Sequence, residues 1–501
     1  MRVPLGSFKK LPMQVTVTRK DVLYNPDPSR VIARFHYSTD ERSKNIIRKV
    51  LDMPDEEAKI ALSQVLRGYS KRHRSISRIF ENHFNRLSHV LREMNINPED
   101  IEEQMKVLIG SYFTKEYSIE SAAFFNPSII EAPDQSELHV GEKRVILSFR
   151  ATGEGHISSI VFRSGVLDEN NNLRIEPVGK MLDEAEKIRR HIYEKESFKS
   201  QLYDLQHNNK KITSKVFSKL GDNFTYGELE RAVKETKTEQ HISTAKSLLL
   251  NQIMWLASAH YEIEFSLDTA ISERVIFPVS ENERNGIEDA RFVKFIDDNG
   301  KTTYYATYTA YDGLSILPKL IETKDFYHFK IKPINGELGR NKGMALFPRK
   351  INGKYAMLCR LDGINNYIAF SDDINIWHEA KLIQEPKFPW EFIQIGNCGS
   401  PIETKEGWLV ITHGVGPMRE YVLGASLFDL HNPEKEIGRL VTPLMTPNEK
   451  EREGYVPNVL YTCGAIIHNG MLGIPYAMSD YASAFACVNL EELLHELKNP
   501  T

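Results

Sequence analysis

The chain has 501 residues, of which 41% are apolar and 26% are charged, and its formal net charge at pH 7 is −4. These values are typical of a globular protein with two or three domains, or with one large repeat fold and additions. The mildly acidic balance argues against nucleic acid or an anionic membrane as the partner. Any phosphate site would therefore have to be a local basic pocket.

The N-terminal segment MRVPLGSFKKLPMQV lacks the apolar core of a secretory signal, and no window approaches the roughly 18 apolar residues of a membrane span. The four cysteines are widely spaced among apolar or small neighbours: Cys359, Cys398, Cys463 and Cys487. This pattern predicts buried free thiols in a reducing cytoplasm, and no strong metal-ligand spacing is present.

Residues around 40 to 110 are predicted to be helical. In SISRIFENHFNRLSHVLREM the apolar side chains recur every three or four positions, which gives one apolar stripe. His83 and His89 are six positions apart, which does not suit a shared ligand on one helix face, so we expect both at the surface or at its rim.

From about residue 122 the pattern changes to short runs of Val, Ile and Phe around glycine-bearing turns, as in KRVILSFRATGEGHISSIVFRSG. This pattern indicates β-strands. A second charge-rich helical segment interrupts it from about 175 to 255, and NLEELLHEL closes the chain as a helix. We predict a helical extension over residues 1–120 and a mainly β domain over residues 121–501 that carries the helical insertion in its first part.

The strand-rich part contains five similar units, each with an approach segment, a turn, an apolar strand and a polar turn. Runs such as KINGKYAML and ETKEGWLVI are typical of hairpins with glycine at the bend. Five units of this kind predict a five-bladed β-propeller with its site at one mouth of the central channel. A twisted β-sandwich is the alternative.

The segment NGIEDARFVKF, residues 285–295, places Glu288, Asp289 and Arg291 directly before an apolar strand. Alone, it is also compatible with a solvated turn and a local ion pair. In a propeller, however, distant repeats would bring their polar residues to one axial funnel. Comparable residues recur in every unit: Asn126, Arg150 and His156; Tyr308 and Asp312; Lys342, Arg360 and Asp362; His413, Arg419 and Tyr421; Asn458, Tyr476 and Asp480.

Such a site combines carboxylates for proton transfer with cations that hold an anion. Inverting cleavage of a glycosidic bond needs an acid for the leaving oxygen and a nucleophile on the opposite face of the sugar. That nucleophile is either water activated by a second carboxylate or an anion such as phosphate. The set of Lys342, Arg360 and His413 favours phosphate.

The segments GIEDARFV, TYTAYDG, ALFPRKINGKYAML, HGV and VPNV, in this order, resemble glycoside hydrolase family 130 over about residues 122 to 495. The resemblance implies a five-bladed propeller acting on β-linked mannosides, as an inverting phosphorylase or a hydrolase, and the additional helices resemble an extended-chain branch. It assigns the catalytic acid to Asp289, which reaches the glycosidic oxygen through a hydroxyl of the bound mannose.

The resemblance also assigns phosphate contacts to Lys342, Arg360, His413 and Tyr421. It assigns a sugar-binding role to Asp480. From residue type and repeat position we also expect substrate contacts from Asn126, Arg150, His156, Glu288, Arg291, Tyr308, Asp312, Asp362 and Asn458. Three positions depart from the family pattern near the site, and Lys342 is one of them. Ala290 replaces a proline, and Gly343 replaces an asparagine after Lys342, whose ammonium lacks the guanidinium fork.

We therefore predict an inverting β-mannoside phosphorylase that releases mannose 1-phosphate from β-linked, chiefly β-1,2, manno-oligosaccharides. Inorganic phosphate is the co-substrate, and no cofactor is expected. One alternative is an inverting β-1,2-mannosidase with Glu391, Glu403 or Glu453 as the base. The other is a non-catalytic glycan-binding propeller. The helical extension offers a surface for homo-oligomerisation.

Overall fold

The computed structural model describes residues 15–188, 192–205, 210–238, 244–278, 280–313, 316–339 and 342–499. The prediction that the N-terminus is not a secretory signal concerns residues 1–15, and all of these except Val15 lie outside the described ranges. Within them, no helix combines the length and apolar character needed to cross a membrane.

Residues 15–120, the described part of the predicted extension, contain three strands and five helices. The strands are β1 (Val17–Tyr24), β2 (Val31–Phe35) and β3 (Thr114–Ser118). The helices are α1 (Asp40–Leu51), α2 (Asp55–Tyr69), α3 (Ile76–Asn85), α4 (Ser88–Glu93) and α5 (Glu103–Tyr112). The expectation of helices over about 40 to 110 is confirmed, while the strands that flank them were not anticipated.

The apolar stripe of α3 explains why these helices pack together. Phe84 is 1% exposed and lies in one apolar cluster with side chains of α1, α2 and α5. His83 was expected at the surface, which is wrong. It is 8% exposed, and its Nδ1 lies 2.7 Å from Thr114 Oγ1.

The next part of the chain begins with strands and continues into the helical insertion. Its strands are β4 (Ala123–Glu131), β5 (Lys143–Thr152), β6 (Ser158–Leu167), β7 (Leu173–Ile175), β8 (Asp183–Glu184), β9 (Glu186–Ile188), β10 (Ile192–Glu194) and β11 (Asn223–Thr225). Its helices are α6 (Lys195–Leu205), α7 (Lys210–Phe217), α8 (Tyr226–Thr238) and α9 (Thr244–Ser258). The described helices of the insertion enclose an apolar cluster of their own, centred on Phe198, Phe217 and Phe224.

In the described residues that follow, most of the regular elements are strands. Its elements are β12 (Tyr261–Glu264), β13 (Arg274–Ile276), β14 (Ile287–Ile296), β15 (Thr302–Tyr311), β16 (Ile316–Thr323), β17 (His328–Pro333), β18 (Ala345–Leu346), β19 (Tyr355–Cys359), β20 (Asn366–Ser371), β21 (Ala380–Gln384), β22 (Gln394–Asn397), β23 (Ile402–Thr404), β24 (Gly407–Val415), β25 (Tyr421–Phe428), β26 (Glu436–Arg439), β27 (Leu460–Tyr461), β28 (Ile466–His468), β29 (Met471–Met478), β30 (Ala482–Asn489) and α10 (Leu490–Lys498).

Five sheets follow one another along the chain. Their strand orders are β4-β5-β6-β13-β8, β14-β15-β16-β17-β12-β9, β18-β19-β20-β21, β22-β24-β25-β26 and β27-β29-β30-β1. The chain is mainly β, as predicted. In addition, β1 pairs antiparallel with β30, so the N-terminal strand joins the last sheet.

Each sheet contacts the next, and the last contacts the first. The contacts join β14 with β4, β15 with β18, β20 with β22, β25 with β27, and β29 with β4. The first strand of each sheet therefore packs against a strand of a neighbouring sheet. The four cysteines are free and buried, as predicted.

Candidate functional site

Asp289 sits on a backbone irregularity where two sheets meet. The register of β14 shifts between Glu288 and Arg291, and Asp289 has φ 56°. Asn126 occupies a similar shift in β4 with φ 49°. Asn and Asp tolerate the left-handed region better than other side chains do, and such bulges redirect a side chain. As a result, Asn126 Nδ2 donates to Asp289 Oδ1 at 2.7 Å.

Ion pairs beside these two residues link the first two sheets and the loop before the third. Arg150 Nη2 donates to Glu288 Oε1 at 2.9 Å, and its Nη1 lies 3.5 Å from Asp289 Oδ1. Lys342 Nζ donates to the other oxygen of Glu288 at 2.8 Å. Burial acts to raise the pKa of Asp289, but Arg150, Asn126 and further cations outweigh it and hold that pKa below its ordinary value. In the ligand-free protein, Asp289 is therefore ionised at neutral pH.

Asp480 is a second carboxyl group at this point, on a tight turn with φ 51°. Burial, followed by the charge of Asp289, raises the pKa of Asp480 to about 6, against the opposing effect of Arg150. Two neighbouring carboxyl groups thus differ in proton affinity, and this is the usual condition for separate acid and base roles.

Arg291 lies at the floor of the site, where it is 4% exposed. Its Nη1 donates to Asn397 Oδ1 at 2.8 Å and its Nη2 to the hydroxyl of Tyr461 at 2.7 Å. Asn397 in turn donates to the carbonyl of Gly343 at 2.8 Å. Sequence reasoning missed Asn397 and Tyr461, although both precede a cysteine in the apolar contexts GNCGS and LYTCGA.

Arg360 and His413 lie together on the third and fourth sheets, with Arg360 Nη1 3.4 Å from His413 Nε2. The amide oxygen of Gln394 accepts hydrogen bonds from Arg360 Nη1 and from His413 Nε2, and it lies 3.0 Å from His413 Nε2. Burial, then Arg360 and Arg291, hold the pKa of His413 well below its ordinary value. The expectation that His413 contributes a positive charge is therefore wrong, and it acts as a neutral imidazole.

A cavity of about 40 Å³ lies between Asp289, Arg291 and Arg360. Because one water needs roughly 10–15 Å³ measured in this way, the space suits a few waters or one small anion. Asp289, Arg291, Lys342, Arg360, Tyr308 and Tyr461 line it. The missing side chain at Gly343 keeps it open, since a Cβ there would lie 3.0 Å from Arg360 Nε.

Several other predicted residues lie at the same end of the sheets. His156 follows β5 on a turn, with its ring 5.3 Å from that of Tyr455. The ring of Tyr421 stacks on His413 at 6.0 Å, and its N–H donates to the carbonyl of Asn458 at 2.9 Å. Arg419 is exposed on the turn before β25.

Four of the predicted residues have other bonding partners. Tyr308 lines the cavity with its ring, but its hydroxyl donates to Glu283 at 2.6 Å, and Tyr476 donates to Glu451 at 2.8 Å. Asp362 accepts from the amides of residues 364 and 365 and from two side chains of its own loop. Asp312 accepts through its backbone carbonyl from Arg284.

The three candidate bases differ in their surroundings. Glu391 is fully buried, pairs with Arg439 at 2.9 Å and accepts from two backbone amides. Glu403 pairs with Arg349 at 2.8 Å on a partly exposed strand. Glu453 is exposed on the segment that packs against the turn of Asp480.

Comparison with known proteins gives consistent matches. The profile of glycoside hydrolase family 130, described as beta-1,4-mannooligosaccharide phosphorylase, matches residues 259–499. A 1,2-beta-oligomannan phosphorylase of Thermoanaerobacter sp. is 36% identical over 43% of this chain and 72% of its own length. A beta-1,2-mannobiose phosphorylase of Listeria innocua is 30% identical over 58% of this chain and 80% of its own. A solved structure of a Listeria innocua beta-1,2-mannobiose phosphorylase aligns with a TM-score of 0.46 at 23% identity, over 76% of this chain and 93% of that chain.

Proposed function

Since this chain belongs to glycoside hydrolase family 130, we propose that it is an inverting β-mannoside phosphorylase. Its substrates are β-linked manno-oligosaccharides, chiefly β-1,2-linked, and inorganic phosphate, and one product is mannose 1-phosphate. The two relatives with 36% and 30% identity carry names that specify this linkage and reaction.

One observation carries the proposal: a single small cavity is lined by a carboxyl group and by three cationic side chains from two sheets and the loop between them. Asp289 is the proposed acid, and Arg291, Lys342 and Arg360 are the cations. Guanidinium groups bind phosphate with paired donors, whereas an ammonium acts as a point charge. We assign phosphate binding to Lys342 and Arg360, with His413 as a neutral neighbour and Tyr421 behind it.

In the proposed reaction, an oxygen of hydrogen phosphate forms a bond to the anomeric carbon while the bond to the leaving oxygen breaks. Asp289 in its acid form supplies a proton to the leaving oxygen through a hydroxyl of the bound mannose. The proton of the phosphate then restores the acid. The balance is mannoside plus hydrogen phosphate to mannose 1-phosphate plus free sugar, and no base is needed.

Asp289 must gain a proton before it can act. The cations around it hold its pKa low in the free protein. A bound phosphate anion would neutralise much of that positive charge and raise the pKa of Asp289. Asp480, whose pKa is raised to about 6, is the nearby group from which a proton is available. Ligand binding and activation of the acid are therefore coupled in this proposal.

The hydrolase alternative needs a second carboxylate that activates water. The ion pair of Glu391 with Arg439 and that of Glu403 with Arg349 argue against both residues as bases. Glu453 is the remaining candidate. We also propose that Asn126, Arg150, His156, Glu288, Asn458 and Asp480 contact the sugar, and we leave Asp362 out because its oxygens are used within its own loop.

The architecture that suits this function is a five-bladed propeller. The five consecutive sheets and their cyclic contacts support this proposal. We propose that β1 belongs to the last blade, that the helical extension spans the rest of residues 1–120, and that the insertion lies at about 175–255. The four free thiols suit a cytoplasmic location.

The test is to incubate the protein with β-1,2-mannobiose in the presence and absence of phosphate. We expect mannose 1-phosphate in equal amount to free mannose, and only with phosphate. A hydrolase would release two equivalents of free mannose in both samples. A binding protein would leave the disaccharide intact. A panel of β-1,3- and β-1,4-linked mannosides would then define the linkage.

A further inference from the structure

A second polar cavity lies between the helical extension and the flank of the first two sheets. It consists of two adjoining volumes of about 860 and 360 Å³ that share Ala33, His83, Glu184 and Ala185. Ligand pockets usually have volumes of about 300–1,000 Å³. We call this space the flank cavity. It is separate from the catalytic cavity and has none of its lining residues.

Two guanidinium groups face the smaller volume. Arg34, on β2, lies 4.4 Å from the ring centre of Phe277, and Arg86, at the end of α3, lies 4.1 Å from that of Phe35. Within the described part of the chain, neither side chain forms an ion pair or a side-chain hydrogen bond. Stacking covers a flat face of each guanidinium and leaves its N–H edge available.

The two cations are close enough to affect each other. Burial and, to a smaller extent, the charge of Arg34 lower the pKa of Arg86, whereas the charge of Glu184 acts to raise it. Glu184 is the acidic side chain of the smaller volume. Desolvation by the surrounding protein raises its pKa, whereas the charges of Arg34 and Arg86 act to lower it. Part of the side chain is still in contact with solvent. With both arginines charged, this region is cationic in a chain of net charge −4.

We propose that the flank cavity is a second ligand site, which takes a phosphate group from inorganic phosphate or from a sugar phosphate. Two guanidinium edges from different elements suit a tetrahedral anion with several acceptor oxygens. The volume beyond them leaves room for an attached sugar, whose hydroxyls would donate hydrogen bonds to Glu184. The binding itself does not depend on the proposed catalytic reaction.

The site can be tested by calorimetric titration of the full chain with inorganic phosphate and, separately, with mannose 1-phosphate. We expect Arg86→Gln to weaken the flank site about tenfold or more, since it removes charge-assisted hydrogen bonds. Arg86→Lys should retain part of the affinity. Glu184→Gln should bind more tightly than the natural chain because it removes the competing negative charge. A merely structural effect of these exposed residues would not produce opposite changes.

The catalytic cavity gives an independent signal in the same experiment. Two sites in the natural chain and one in Arg86→Gln would support both proposals. One site that Arg86→Gln removes would support the flank site alone. A titration that is the same in Arg86→Gln and Glu184→Gln as in the natural chain would overturn it. Tighter binding of mannose 1-phosphate would identify the sugar phosphate as the ligand, and equal binding would identify phosphate.

Discussion

Replacing Asp289 by Asn tests the proposed acid with little change in structure. Asp289 Oδ1 accepts from Asn126 at 2.7 Å, and an amide oxygen can accept the same bond. Its φ of 56° is also one that asparagine tolerates well. The variant should therefore fold normally and lose only proton transfer. General acid catalysis contributes about 10²–10⁴ in rate, or about 3–5 kcal/mol of barrier.

The assay is mannose 1-phosphate formation from β-1,2-mannobiose at saturating phosphate. We expect kcat/KM of Asp289→Asn to fall by at least about 10², with phosphate affinity changed far less. Glu403→Gln is the matched control, because this carboxylate is paired with Arg349 on a partly exposed strand and should keep full activity. A fall of less than about tenfold in Asp289→Asn would refute the assignment of the acid.

Arg360→Gln should raise KM for phosphate about tenfold or more, since a hydrogen bond to a charged group is worth about 1.5–3 kcal/mol; an unchanged phosphate KM in steady-state kinetics would contradict its role. Gly343→Ala and Gly353→Ala both place a side chain at positive φ, 80° and 78°, but only the first meets an arginine within 4 Å. Both should lower Tm, and only Gly343→Ala should raise KM for phosphate. Asp480→Asn removes a negative charge beside the acid and so lowers the pKa of the acid. The alkaline limb of kcat/KM should then move to lower pH, and an unshifted profile would exclude the coupling. Burial lowers the pKa of His83 to about 4, so the folded chain takes up this proton at lower pH than the unfolded chain. The free energy of unfolding should therefore decrease as the pH falls from 6.5 towards 4. Urea unfolding of His83→Gln should lack this part of the decrease.

The sequence was most informative where the pattern is local. The period of the apolar residues predicted the helices of the extension, and the hairpin signals predicted the units that form the five sheets. Strand β1 could not be predicted as part of the last sheet, because its partner β30 lies more than 450 positions away. Such long-range pairing leaves no short-range signal.

The site shows the same limit at the level of single residues. Asp289, Arg150 and Lys342 were predicted from residue type and repeat position, and they meet as expected. The prediction of a positive charge on His413 was wrong, because burial and two neighbouring arginines lower its pKa. Neither the burial nor these neighbours can be read from a linear sequence. Gln394 gave no signal at all, since a lone glutamine at the start of a strand is an ordinary surface residue.

The resting contacts of Lys342 determine how phosphate must enter. Its ammonium is paired with Glu288, which also holds Arg150, so an incoming anion competes with a carboxylate already in place. The exposed fraction of the Lys342 side chain is 41%, whereas that of Glu288 is 15%, so the lysine is the partner that can move. Phosphate binding would then release Glu288 towards the sugar and raise the proton affinity of Asp289. A single anion would both supply the nucleophile and prepare the acid, which makes phosphate-dependent cleavage a consequence of the charge arrangement.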